Sequence, residues 1–278
     1  MKAKGKIRRN SNWKSTLLWI ILIILAWEIG ALIVGVTKRS PENVLPHLFQ
    51  ILQALFSGKE VSNGMTAVAI VLTSAAATLL RAIAGFLLGM AVGFGLALLM
   101  KLSGIAEKML FPYLMLIQLI PVLGLAPIIL AITGDINQSR IIIAAILSFY
   151  PVATNTLAGF QSVEKEKYDL MYINAANRRQ LYTKVLIPSA IPYFFTGLKI
   201  AAPMAITASI LVDTLQGDGG LGCMLSQSLK HAMSIYVFWL IVFFSAFVGV
   251  FSSILMGWIE KWISPEYIHL RKVKKRGD

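Results

Sequence analysis

The stretch from Thr66 to Met100 reads TAVAIVLTSAAATLLRAIAGFLLGMAVGFGLALLM and carries a single charge, Arg81. A bilayer core needs about 20 consecutive apolar residues in helical form, because lipid offers no partner for open backbone groups. This run exceeds that length: at 1.5 Å per residue it would reach roughly 50 Å. Either it is one strongly tilted helix, or its first half is a separate segment ending near Arg81. Arg81 itself either marks a functional site inside the membrane or snorkels to an interface.

Further apolar blocks lie on both sides: Leu17 to Val36, Met109 to Ile132, Ile141 to Phe160, Ala190 to Val212 (broken by Lys199) and Ile235 to Ile259. The expected fold is therefore an all-α polytopic membrane bundle of about six transmembrane helices, a single domain over residues 1–278. Composition agrees, with 57% hydrophobic and 14% charged residues, against about 25% charged in soluble domains. The first block reads as a span and not as a cleaved signal, since Trp27-Glu28-Ile29-Gly30 offers no small-residue cleavage site. Gly85, Gly89 and Gly93 share one helix face and predict close helix packing. Pro112, Pro121, Pro127 and Pro151 predict bends or breaks in the third and fourth spans.

The net charge of +13 is unevenly placed. Nineteen Lys and Arg fall in the terminal tails (1–16 and 263–278), at Lys261 just before the second tail, and in alternate loops. Five fall opposite: Lys38, Arg39, Lys59, Arg140 and Lys230. The positive-inside rule places both termini in the cytoplasm. A nucleic-acid-binding tail would need an aromatic platform or a folded basic domain, which the sequence lacks; the tails suit anionic lipid headgroups. Cys223 is the sole cysteine, the three histidines are scattered, and no phosphate-loop motif occurs. No cofactor, metal or catalytic residue is expected.

On the outer side, Val44-Leu45, Leu48-Phe49, Ile51-Leu52 and Leu55-Phe56 recur at helical spacing. They form either an interfacial amphipathic helix or a helix packed on the outer ends of its neighbours. Between the fourth and fifth spans, Ser162 to Lys184 reads as two short amphipathic helices broken around Ala175–Asn177 and stopped by Pro188 and Pro192. Its apolar face either meets a partner or folds back on the bundle.

The string Asp169-Leu170-Met171-Tyr172-Ile173-Asn174-Ala175-Ala176-Asn177-Arg178, followed by Val185-Leu186-Ile187-Pro188, resembles the cytoplasmic loop of ABC importer permeases. That family's pattern is Glu-Ala-Ala, three residues, Gly, nine residues, Ile, one residue, Leu-Pro. Asp169 stands at the Glu, Leu170-Met171 at the Ala pair, Ala175 at the Gly and Val185 at the Ile. A left-handed residue needed in that turn is expected at Asn177, since Asn tolerates it better than Ala. Flanking strings carry the likeness further: Phe149-Tyr150-Pro151, Thr196-Gly197-Leu198-Lys199, and Asp213 with Gly220-Leu221-Gly222. It extends over about residues 65–265 and is nearest the nitrate, sulfonate, taurine and bicarbonate permeases.

The resemblance implies a bacterial cytoplasmic-membrane permease without ATPase activity of its own. Its implied partners are two copies of an ABC ATPase subunit, an extracytoplasmic substrate-binding protein, and a second permease, identical or related. It implies ATPase coupling through Asp169, Leu170, Met171, Ile173, Ala175, Ala176, Asn177 and Arg178. Asp213, Gly220, Leu221 and Gly222 would shape the outer mouth or the binding-protein dock. Gln118, Ser148, Tyr150, Asn155 and Thr207 are polar groups in apolar spans; each either lines the pathway or bonds its own helix. The competing class, an ion-driven secondary transporter, predicts paired intramembrane acids and an inverted repeat. Glu28 and Arg81 read as isolated, and no repeat is visible.

Overall fold

The computed structural model describes residues 13–38, 44–62, 64–216, 219–230 and 234–264. Most of the two basic tails lies outside the described residues, as do His231 and His269. Among the described residues, five helices are long and apolar enough to cross a membrane, or six if one bent pair counts as a span.

Helix α1 (Trp13–Thr37) leads to a short α2 (Leu48–Phe56) and a two-stranded antiparallel hairpin, β1 (Glu60–Ser62) and β2 (Met65–Thr66). The hairpin is a small exception to the all-α expectation. The long apolar run then forms one unbroken helix, α3 (Ala67–Leu102), so no separate segment ends at Arg81. Thr66 starts α3 by accepting the Ala69 N–H on its hydroxyl. Ser103 ends it and starts α4 (Gly104–Leu119) by accepting the Ala106 N–H.

The third apolar block is not one helix. Helix α4 and helix α5 (Val122–Thr133) meet at 110°. Pro121 has no N–H to continue the ladder, and it drives the preceding Ile120 into an extended conformation (φ −75°, ψ 128°). Gly134, in the left-handed conformation, closes α5, and the Asp135 side chain caps α6 (Ile136–Gln161) through the Gln138 N–H at 2.7 Å.

The glycine face of α3 packs on α6. A Cβ at Gly85 would lie 2.5 Å from the Ala144 Cβ, one at Gly89 2.6 Å from the Ser148 Cβ, and one at Gly93 2.9 Å from the Val152 Cβ. Both numbers rise together along the seam, so α3 and α6 run in the same direction. The α4–α5 segment therefore carries the chain from the far end of α3 back to the level where α6 begins.

Beyond α6 stand α7 (Lys165–Ile173) and α8 (Arg178–Leu181), then a π-turn over Tyr182–Leu186 that runs straight into α9 (Ile187–Gln216). Pro188 and Pro192, expected to stop the segment, do not. The Ile187 N–H reaches back five residues to the Tyr182 carbonyl, so the wider turn absorbs the break that Pro188 would impose. Helix α9 runs antiparallel to α6, with Gly159 against Ala190 and Gly197 against Pro151 and Val152. Helix α10 (Leu221–Leu229) and helix α11 (Ile235–Ile263) complete the bundle. Helices α6 and α9 form its centre, whereas α1 exposes nearly all of its surface, as suits a lipid-facing helix.

One correction here concerns a charge, and α2 answers a second question. Glu28 is not isolated: it accepts from His47 Nδ1 at 2.6 Å and from the Leu48 N–H at 3.0 Å, tying α1 to α2. On α2, Ile51 is buried while Phe49, Leu52 and Phe56 stay exposed, so this helix packs on the bundle along one edge only.

Candidate functional site

Two polar features stand out at opposite ends of α9. The first is the α7–α8 pair, beside the C-terminal ends of α3 and α6. Part of it folds back: Tyr168, Leu181, Tyr182 and Val185 pack with the core around Met100, Leu157 and Phe160. The Tyr182 hydroxyl donates to the Lys101 carbonyl at 3.4 Å, and the Lys101 ammonium lies 5.7 Å from the Tyr168 ring centroid.

Another part faces outward. Leu170 is 60% exposed, Tyr172 87% and Ile173 79%, with Met171 half-buried beside them. Tyr172, absent from the coupling residues that the resemblance implies, is the largest exposed member of this patch. In the same α7–α8 segment Asp169 and Arg178 are exposed and Ala176 is partly covered.

The turn between the helices departs from expectation. Ala175 carries the positive φ (48°), the one such non-glycine among the described residues, and it stands at the family's Gly position. Asn177 is extended instead (φ −77°, ψ 166°) and caps α8: its side chain accepts the Gln180 N–H, and the Gln180 side chain returns the bond. A short amide side chain at a helix start satisfies a backbone donor, and that outweighs its tolerance for left-handed geometry.

The second feature is a buried charge cluster at the other end of α9. Asp213 has no exposed surface. One oxygen, Oδ1, lies 3.3 Å from an Arg81 guanidinium nitrogen and 3.0 Å from Arg140 Nε. The other, Oδ2, accepts the Thr78 hydroxyl at 2.6 Å. Arg81 is thus an intrabundle partner of α9 and does not snorkel alone. Arg140, expected in an outer loop, is fully buried in the first turns of α6. Its charge left the loop because a carboxylate inside the bundle receives it. Gly220, Leu221 and Gly222 are buried directly against this cluster. Thr78 and Arg140 escaped the sequence reading because their partner is far away in the chain.

The polar groups inside the spans are less concerted. Ser148, Asn155 and Thr207 each donate to the carbonyl four residues earlier: Ala144 at 2.6 Å, Pro151 at 2.7 Å and Pro203 at 3.0 Å. Gln118 is exposed at the end of α4, and Tyr150 is half-buried. Of the five, Thr207 sits on an uncovered stripe of α9 formed with Tyr193, Ile200, Leu211 and Leu215.

Comparison with known proteins fits this arrangement. The family described as "Binding-protein-dependent transport system inner membrane component" matches residues 85–265. A formylaminopyrimidine transport permease protein of Halalkalibacterium halodurans is 30% identical over 207 residues, covering 74% of this chain and 77% of that protein. A nitrate import permease protein of Synechococcus elongatus is 24% identical over 266 residues, covering 92% and 93%. Two solved structures share the fold. An amino acid ABC transporter has a TM-score of 0.60 at 20% identity, over 70% of this chain and 95% of that one. The MetNI methionine ABC transporter has a TM-score of 0.56 at 19% identity, over 70% and 94%.

The chain belongs to the family of inner-membrane components of binding-protein-dependent transport systems. It is a multi-pass permease subunit of an ABC importer, the transport component and not the ATPase.

Proposed function

We propose that the α7–α8 pair is the ATPase-coupling element of this permease. The observation that carries the reading is the exposed group Leu170, Tyr172 and Ile173. Its segment is anchored on the opposite side by Tyr168, Leu181 and Tyr182, so the anchored face holds the exposed one rigidly for a partner. Exposed apolar patches on a structured element mark interaction sites. Asp169 and Arg178 supply a charged rim at the ATPase contact.

The same reading orients the molecule. With α3 and α6 parallel, the α4–α5 pair serves as a broken third span, which brings the crossings to six. The α7–α8 end then faces the cytoplasm with both termini, in agreement with the Lys and Arg distribution. The uncovered stripe on α9, the most central helix, fits a second permease copy or a related permease, with the solute path between the two. A binding protein delivers a small solute to the outer end, and two ATPase subunits bind at the inner one. ATP-driven closure of the ATPase pair, passed through α7 and α8, would switch the path between outward-open and inward-open.

Co-purification of the ATPase subunit with the Leu170→Asp, Met171→Asp and Tyr172→Asp variants tests the reading. A buried unpaired charge typically costs several kcal/mol, so ATPase retention should fall by about a hundredfold. Asp169→Ala should act more mildly, since ion pairs at a wet rim contribute ~0–1 kcal/mol. Full ATPase retention and transport in all three Asp variants would remove the coupling role from this segment.

A further inference from the structure

The Asp213 cluster contains a group with two duties. The Thr78 hydroxyl is fully buried. It donates to Asp213 Oδ2 at 2.6 Å, much closer than its other acceptor, the Ser74 carbonyl at 3.2 Å. The Thr78 hydroxyl oxygen also accepts the N–H of Leu221, the first residue of α10, at 2.9 Å. The Thr78 carbonyl in turn accepts the Ser209 hydroxyl of α9 at 3.2 Å. One residue of α3 is therefore fastened to α9 twice and to the start of α10 once.

The glycines of this turn show how tightly it is seated. Gly220 has φ +92°, which side chains rarely adopt, and a Cβ there would collide with the Asp213 carboxyl group and the Thr78 hydroxyl. A Cβ at Gly222 would collide with the Ile210 carbonyl and the Asp213 side chain. The Gly222 N–H is a further hydrogen-bond partner of the Asp213 carboxylate. From this seat α10 continues between α9 and α11, burying Leu221 and Cys223.

We propose that Thr78 is the positioning residue of the outer mouth: its hydroxyl seats the Gly220-Leu221-Gly222 turn on Asp213, so that α9 and α10 move as one unit when the binding protein engages. Helix α9 is continuous through the π-turn with α8, so this seat joins an event at the outer end to the segment facing the ATPase. The functional half rests on the coupling reading given above; the seat itself rests on the hydrogen bonds alone.

Cys223, the chain's single cysteine, lies two residues past the Leu221 N–H and is buried, which makes it a native reporter of the seat. The purified full chain is treated with a membrane-permeant maleimide, and the rate of Cys223 alkylation is measured. Thr78→Val keeps the shape but leaves the Leu221 N–H and Asp213 Oδ2 short of a partner, and alkylation should rise about tenfold. Thr78→Ser should restore the slow rate. Thr156→Val, which removes a buried hydroxyl bonded only within α6, controls for general loosening and should label slowly. In the importer assembled with its ATPase and binding protein, Thr78→Val should lower the ratio of stimulated to basal ATP hydrolysis, with Thr78→Ser rescuing it.

Slow labelling together with normal stimulation in Thr78→Val would overturn the proposal, as would equally fast labelling in Thr156→Val. If no ATPase accompanies the wild-type chain, the coupling reading fails, and the alkylation rates still decide the seat.

Discussion

Gly89 of α3 faces Ser148 of α6 so closely that a Cβ at position 89 would lie 2.6 Å from the Ser148 Cβ and 2.7 Å from the Ala145 carbonyl. The second contact is backbone and cannot swing aside. Lipid tails provide no hydrophobic drive for helices to associate, so such close packing is what holds membrane helices together.

Gly89→Ala should therefore destabilise the protein by about 1–3 kcal/mol through overpacking. Gly95→Ala provides the contrast: it lies on the same helix with nothing within 4 Å. There the added methyl should be neutral or stabilising by up to ~1 kcal/mol, since Ala is the better helix former. Thermal unfolding in matched detergent reads both, and equal stability of the two variants would contradict the seam.

Asp213→Ala removes the carboxylate from between Arg81 and Arg140. Breaking a buried ion pair from one side typically costs about 3–5 kcal/mol, because a charge is left without compensation in a low-dielectric site. The expected result is a sharp fall in monodisperse protein recovered in detergent. Wild-type recovery and unfolding temperature would show that the cluster contributes little.

Ala175 holds a backbone conformation that costs a non-glycine residue roughly 1–2 kcal/mol. Ala175→Gly should relieve most of that strain and slow limited proteolysis at the α7–α8 turn. Ala175→Val, β-branched, should accelerate it. ATPase retention in Ala175→Gly should match or exceed wild type, because the exposed patch is untouched. Faster cleavage of the glycine variant would argue against the left-handed turn.

Topology can be read with single cysteines in a Cys223→Ser background. Cysteines at Ser15 and Ser162 should react only with permeant reagents, and one at Ser62, in the hairpin at the opposite end, should react from outside. Labelling of position 162 by an impermeant reagent in intact cells would invert the orientation.

The membrane class, five of the spans and the family likeness could all be read along the chain. Each depends on run length, polarity or a local string, and those survive without knowledge of neighbours. The glycine face at 85, 89 and 93 was legible for the same reason, as was the break between α7 and α8. Local geometry was already harder: Asn177 looked suited to the left-handed turn, yet helix capping claimed it and left the strain to Ala175.

Pairings across the chain were a different matter. Thr78 and Asp213 stand 135 residues apart, and nothing in a one-dimensional pattern says that α3 and α9 run antiparallel with those two groups level. Without that register Arg81 reads as a stray charge and Arg140 as a loop cation. Likewise the third apolar block read as one bent span, while its 110° break and the return of the chain through it follow from the parallel packing of α3 on α6. Apolarity selects the solvent a segment will occupy, but lipid rewards every apolar face alike. The partner of each helix is chosen by close contact and by buried polar groups finding one another, and those come into being only when the bundle closes.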